Sequence, residues 1–323
     1  MIKELLKRLP ESERKKGIWP LEWAMIAYTL FTLVLISALS SELVEPVPMI
    51  LQRVAFLALI AVTWWIYKIY PSRITLFLRI SLVMMTLSRW YPDTWEFNRL
   101  FLNLDHLFAG WEQSLFGCQP SLLFSQQLPD WWASEPLYLG YFSYFPMIWV
   151  LVTWFWLKRP EALQRIAFII MSGFFVYYII YIFLPVAGPQ FYYAAPGVDA
   201  ANGVFPNVAD YFHDMREMYP GPGVDGPFHY LVGLAHEAGE RPTAAFPSSH
   251  IGIATILLIL AFRHKLHKLG FCLLPFYILL CMATVYIHAH YLVDAIAGFI
   301  TSFIVYFLLS WVYKKFFEDS NAL

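Results

Sequence analysis

Eight stretches of this chain are apolar over most of the length that a membrane crossing requires, and that restricts it to very few folds. A hydrocarbon core of roughly 30 Å is spanned by about 20 apolar residues in a helix. The stretches run from about Ile18 to Leu39, Pro48 to Ile69, Ile74 to Tyr91, Leu137 to Leu157, Leu163 to Leu184, Ser249 to Phe262, Leu269 to Ile287 and Tyr291 to Tyr313. Their apolarity is continuous rather than alternating, and backbone in lipid must satisfy its own hydrogen bonds, so helices are predicted and a barrel is not. A composition of 59% hydrophobic and 14% charged residues, with mean hydropathy +0.55, excludes an ordinary soluble globular chain. The predicted fold class is all-α, a polytopic membrane helix bundle of about eight transmembrane helices. No nucleic-acid partner is expected, and the oligomeric state is left open.

Basic residues predict the orientation. Lys3, Lys7, Arg8, Arg14, Lys15 and Lys16 precede the first stretch, Lys68 and Arg73 follow the second, and Lys158, Arg159 and Arg165 join the fourth and fifth. Arg263, Lys265 and Lys268 join the sixth and seventh, Lys314 and Lys315 follow the eighth, and the first gap on the other side carries Glu42 and Glu45. The positive-inside rule then makes both termini cytoplasmic and places the long gaps 92–136 and 185–248 outside. The run after the charged tail is too long for a signal-peptide core and is read as a retained first helix. Cys118, Cys272 and Cys281 form no disulfide framework. Neither outer gap contains an Asn-x-Ser/Thr sequon, which favours a bacterial inner membrane over a glycosylated eukaryotic protein.

In the first outer gap, Leu104, Leu107, Phe108, Trp111, Leu115 and Phe116 recur at helical spacing with Asp105, Glu112 and Gln113 between them. This predicts an amphipathic helix, either lying in the membrane interface or folded over the bundle as a lid. The second outer gap contains Pro220-Gly221-Pro222-Gly223 and is long enough to be functional rather than a simple connection.

Polar chemistry is concentrated at two places. Pro247-Ser248-Ser249-His250 stands where an outer loop turns into the sixth stretch, and a helix start with free N–H groups and two hydroxyls is an anion site, phosphate being the natural ligand. The bland alternative is a helix cap beside an interfacial histidine. His290 and Asp294 are four apart at the start of the eighth stretch, and a carboxylate that holds one imidazole nitrogen leaves the other free to attack. That predicts His290 as a nucleophile, Asp294 as its orienting group and His250 as the general acid for a leaving oxygen. A structural His-Asp pair is the competing reading. His288 is a candidate for substrate binding or for the interface, and Tyr192 and Tyr193 line a pocket or belong to the aromatic belt. Arg53 and Arg89 either meet a headgroup or snorkel.

Pro247-Ser248-Ser249-His250 followed by His290-x-x-x-Asp294 resembles the second and third signatures of the type 2 phosphatidic acid phosphatase superfamily. The resemblance implies a phosphohistidine on His290 oriented by Asp294, with His250 as acid and no metal or other cofactor. Phe246 to His250, Ile287 to Gly298 and Leu184 to Tyr192 look like the inositol phosphorylceramide synthase branch. It covers about residues 74–313, implying a six-helix phosphatase-like core with outer loops 92–136 and 185–248. Residues 1–73 would add a cytoplasmic tail and two helices, and 314–323 a second cytoplasmic tail. The phosphatase branch has an arginine where this chain has Thr284, and Gln190 stands where a cation would be expected. Fewer cations fit a phosphodiester better than a doubly charged monoester. Arg241, shortly before the serines, is the remaining candidate cation, beside the alternative of an ordinary loop arginine. Ser248, Ser249, Arg241, Gln190, Tyr192 and His288 are therefore the expected substrate-binding residues.

These readings make the chain a lipid phosphotransferase that moves a phosphoryl-headgroup, phosphoinositol, from a phospholipid donor to a ceramide-like acceptor. A phosphatase of the same fold with water as acceptor is the alternative. From another class comes a transporter or channel whose histidines relay protons or bind Zn²⁺, since three histidines and an aspartate are a credible ligand set.

Overall fold

The computed structural model describes residues 5–10, 17–223 and 226–318. Lys3, Arg14, Lys15 and Lys16 of the basic tail lie outside the described residues. Helices α1 (Pro20–Ala38) and α2 (Pro46–Ile69) both open on a proline, whose fixed φ and missing N–H suit a first turn. Helix α3 (Arg73–Met85) starts at Ser72, whose Oγ accepts the Thr75 N–H at 3.2 Å. There follow α4 (Leu87–Asn98), α5 (Asp105–Phe116), α6 (Pro120–Gln127), α7 (Trp131–Phe142), α8 (Tyr144–Lys158), α9 (Pro160–Phe183) and α10 (Pro189–Tyr192). The chain closes with α11 (Pro227–Gly239), α12 (Ser249–Arg263), α13 (His267–Tyr286) and α14 (Leu292–Tyr313). Among the described residues no β-strand forms, and the protein is an all-helical, multi-pass membrane protein.

Among the described residues five helices are long and apolar enough to cross a bilayer: α1, α2, α9, α13 and α14 with its extension to Glu318. Helices α7 and α8 make a sixth crossing if taken together, bent by 44° at Ser143. Pro146 accounts for that break, because it cannot donate to the Phe142 carbonyl four residues earlier and its ring crowds that oxygen. The third expected stretch is likewise interrupted, at Thr86, whose Oγ1 donates to the Val83 carbonyl at 2.7 Å and separates α3 from α4. Helix α12 has 15 residues and rises about 22 Å, short of the roughly 30 Å hydrocarbon core.

The chain divides into two compact units, residues 1–90, 152–175 and 307–323 in one and residues 91–151 and 176–306 in the other. In the first, Glu22 and Arg79 are fully buried and joined by two hydrogen bonds of 2.5 and 2.6 Å, with the guanidinium 3.8 Å above the Trp19 ring. Arg53 is also buried here, on Thr32 and the Met49 carbonyl and over Trp90, which takes it out of contact with any headgroup.

The second unit holds both histidine clusters. Its interior gathers Phe108, Val186, Phe191, Tyr192 and Tyr291 around the 184–195 segment. Gly298 of α14 lies so close to Ser248 that a Cβ would collide with the serine carbonyl oxygen, which is how the start of α12 comes to rest on α14. Gly188, at φ 91°, lets the 185–189 loop pass the Ala289 carbonyl.

Glu22→Gln removes the charge that pairs the buried Arg79 guanidinium, and is expected to cost about 3–5 kcal/mol. Denaturant unfolding in detergent micelles measures this, and pairing the change with Arg79→Met should recover most of the loss.

Candidate active site

His290, just before α14, and His250, at the start of α12, meet directly: His250 Nδ1 and His290 Nε2 are 3.3 Å apart. The other nitrogen of His290, Nδ1, lies 2.8 Å from the Ala245 carbonyl oxygen. A carbonyl only accepts, so in the neutral ring Nδ1 carries the hydrogen and Nε2 presents its lone pair. The 3.3 Å contact then requires the hydrogen of His250 on Nδ1, aimed at that lone pair. The His250 ring is held between Tyr141 and Tyr144, with centroids 4.8 and 4.5 Å away. Burial pushes the His290 imidazole down to about 4 against an ordinary 6.5, with the Ala245 hydrogen bond opposing the shift in part. It is therefore neutral, and nucleophilic, at physiological pH.

Asp294 departs from the expected arrangement. Its Oδ2 is 3.9 Å from His290 Nδ1, too far for a hydrogen bond, and accepts the Tyr291 N–H at 2.8 Å instead. The reason is local: α14 begins at Leu292, so His290 precedes the helix and the four-residue spacing does not align the two side chains. Asp294 still faces the imidazole as a buried carboxyl group, but the Ala245 carbonyl fixes the tautomer. The start of α12 differs as well. Ser248 Oγ accepts the Ile251 N–H at 3.4 Å, the Ser249 N–H donates to Tyr181 Oη at 2.9 Å, and the Ser248 N–H donates to the Asp294 carbonyl at 3.1 Å. Ser248 and Ser249 thus dock the helix start, and N–H groups expected to be free for an anion are already used, as buried backbone demands.

Two carboxylates that the sequence analysis left among the polar residues of the outer helix prove central. Asp105, at the start of α5, accepts from Ala187 N and Asn103 Nδ2 at 2.6 Å, Gly188 N at 2.8 Å and Tyr291 Oη at 3.0 Å. Desolvation raises its pKa, and those donors pull it back. Glu112, one helical face along, accepts the Val293 N–H at 3.1 Å at the start of α14, while its Oε2 is buried without a partner. Burial pushes this carboxyl up to about 7. Asp105, Phe108, Ala109 and Glu112 are the buried face of α5, whereas Leu107, Trp111, Leu115 and Phe116 are exposed. The apolar stripe therefore faces outward, as suits a helix in the membrane interface, and its polar face grips the site. The signal in the sequence was the spacing of Asp105 and Glu112, seven residues apart and so on one face.

Gln190 donates its backbone N–H to the His288 carbonyl at 2.7 Å and its Nε2 to Glu240 at 3.1 Å. His288, at φ 66°, turns the chain between α13 and α14 and points its Nε2 at Ser125 Oγ, 3.0 Å away, rather than towards His290. Its imidazole is likewise pushed down to about 4 by burial. Tyr192 is buried in the core with its hydroxyl on the Pro206 carbonyl at 2.7 Å, away from the histidine pair. Arg241 donates to the Glu240 carbonyl at 2.7 Å and, with Gln190, lines a cavity of about 460 Å³. Thr284 is buried, its backbone carbonyl accepting the His290 N–H at 2.9 Å. Among the described residues no three His, Cys, Asp or Glu side chains are arranged to hold a metal ion.

Two facing imidazoles and a carboxyl group thus lie together at the buried start of one helix of a multi-pass membrane protein. A family model described as the PAP2 superfamily matches residues 110–308, more than half of the 323 residues, and the chain belongs to that superfamily. At that level it is an enzyme of the lipid phosphatase and phosphotransferase type. Comparison with curated proteins and with solved structures gave no match.

Glu112→Gln keeps an acceptor for the Val293 N–H and removes the titration. Because the folded carboxyl titrates near 7 and the unfolded one near 4.5, the native chain carries a growing penalty as pH rises between those values. The variant is expected to be the more stable above pH 7, by about 3 kcal/mol at most, and to lose that advantage as pH falls towards 4.5. Unfolding titrations of both proteins across this range give the difference directly.

Proposed function

We propose that this chain is a membrane lipid phosphotransferase of the inositol phosphorylceramide synthase-like branch. It moves a phosphoryl-headgroup, phosphoinositol, from a phospholipid to a ceramide-like alcohol through a phosphohistidine on His290. The observation that carries this reading is the contact between His250 Nδ1–H and the lone pair of His290 Nε2, with His290 held from behind by Ala245. Nitrogens 3.3 Å apart leave no room for a phosphorus atom between them, so the donor phosphate replaces this hydrogen bond when it enters.

Nε2 then attacks phosphorus, the bond to the diacylglycerol oxygen breaks, and His250 delivers its proton to that oxygen. The imidazolium-like charge on His290 is met by the Ala245 carbonyl and by Asp294 at 3.9 Å. In the second half-reaction the acceptor hydroxyl gives its proton to His250 while its oxygen attacks phosphorus, and the P–N bond breaks to restore neutral His290. Thr284 and Gln190 at positions where cations were sought support a singly charged diester donor. We place the core at residues 74–313, both termini in the cytoplasm, and the site on the periplasmic or lumenal side, in a bacterial inner membrane, on the distribution of basic residues.

Lipid mass spectrometry of a host expressing the chain or its His290→Ala variant, supplied with labelled phosphoinositide with and without ceramide, tests the proposal. A labelled, larger sphingolipid that needs both ceramide and His290 is the expected product. Release of water-soluble inositol phosphate alone would make water the acceptor and the protein a hydrolase. His250→Ala is expected to lower turnover by roughly 10² to 10⁴. The acid limb of kcat/KM is expected near pH 4, where His290 takes a proton, rather than near the 6.5 of an exposed histidine.

A further inference from the structure

The cavity of about 460 Å³ in the second unit is lined by groups that the histidine chemistry does not use. Glu240 turns its carboxylate into this wall, where Oε1 accepts the Tyr91 hydroxyl at 2.6 Å and the Gln190 amide at 3.1 Å. That leaves Gln190 Oε1, on a side chain only 3% exposed, buried in the cavity wall without a partner. His236 Nε2, across the same cavity, is also buried and unpartnered. A buried acceptor with no donor costs about 1–3 kcal/mol, and an occupant of the cavity or an ordered water that bonds it would remove that cost. The cavity also adjoins the reacting centre: the Tyr141 ring is 4.8 Å from the His250 ring and 5.8 Å from the His236 ring.

The chemistry of this wall selects among headgroups. Gln190 Oε1 and the Glu240 carboxylate only accept, so the occupant must present donors on more than one side. A quaternary ammonium has none. A primary ammonium has donors and would find Glu237 and Glu240 in the wall, but it is far smaller than the cavity and leaves Arg216 and Arg241 without an acceptor. A ring or chain carrying several hydroxyls supplies donors, acceptors for the two guanidiniums, and size together. We propose that this cavity is the headgroup pocket of the donor lipid, and that Gln190, Glu240 and His236 determine specificity for a polyol headgroup by bonding its hydroxyls. The inference rests on the phosphotransferase reading for the identity of the donor, but binding can be measured without turnover.

Calorimetric titration of the full-length, detergent-purified chain with myo-inositol 1-phosphate, phosphoethanolamine and inorganic phosphate separates the two. The polyol phosphate is expected to bind at least tenfold more tightly than either other probe, and equally well to His290→Ala. Gln190→Leu and His236→Ala should each weaken it tenfold or more while leaving inorganic phosphate unchanged. Equal weakening for all probes, or no preference in the native chain, would overturn the headgroup pocket even where lipid turnover is intact. Conversely, selective binding with no His290-dependent lipid turnover would keep the pocket and remove the transferase reading. His236 contacts the fold chiefly through the Tyr141 ring, so its variant decides the matter if Gln190→Leu does not fold.

Discussion

The whole site hangs on the burial of one carboxylate. Removing Asp105 from water costs several kcal/mol unless its oxygens are bonded, and four donors from three separate segments meet that cost together. Two of the donors are the successive N–H groups of Ala187 and Gly188, so the carboxylate sets the path of the 185–189 loop. The Val186 carbonyl then receives the Ala245 N–H at 3.0 Å, and the Ala245 carbonyl receives His290. From the other side Tyr291, next to His290, donates its hydroxyl to the same carboxylate. Position passes from one buried charge to one imidazole through backbone groups alone, which have little freedom once their partners are fixed.

The histidine pair depends on this rigidity. Two neutral rings share one hydrogen bond, and neither proton is placed by a charged neighbour at bonding distance. The site is poor in cations close to the reacting nitrogens: Arg241 is half-buried in the adjoining cavity, and Thr284 is spent on the local backbone. On the proposed function, such a centre would hold a singly charged phosphoryl group through geometry and burial more than through opposite charge.

The helices were legible because apolar runs of this length admit one solution in lipid, and the two histidine motifs were legible because polar groups there stand out. The breaks at Thr86 and Ser143 were not, since each depends on a local competition between a side chain or proline and a single carbonyl. Asp105 and Glu112 were visible as residues but not as parts of the site, because the apolar side of α5 faces outward and reverses the usual meaning of amphipathic spacing. The His290–Asp294 bond was inferred from helical spacing that begins two residues too late to apply. Glu240 and His236 lie on a loop and a helix whose approach to α7 no local pattern encodes.

The brevity of α12 has a consequence for how its polar start is reached. Its two polar ends, His250 and Arg263, are thirteen residues apart, a rise of about 20 Å, so both cannot reach water across a bilayer of ordinary thickness. Lipid does not settle the shortfall, because α12 is enclosed by other parts of the protein along nearly its whole length. With Arg263 at one surface, His250 stands about 10 Å short of the other, so the way to it runs through protein and not through the acyl chains.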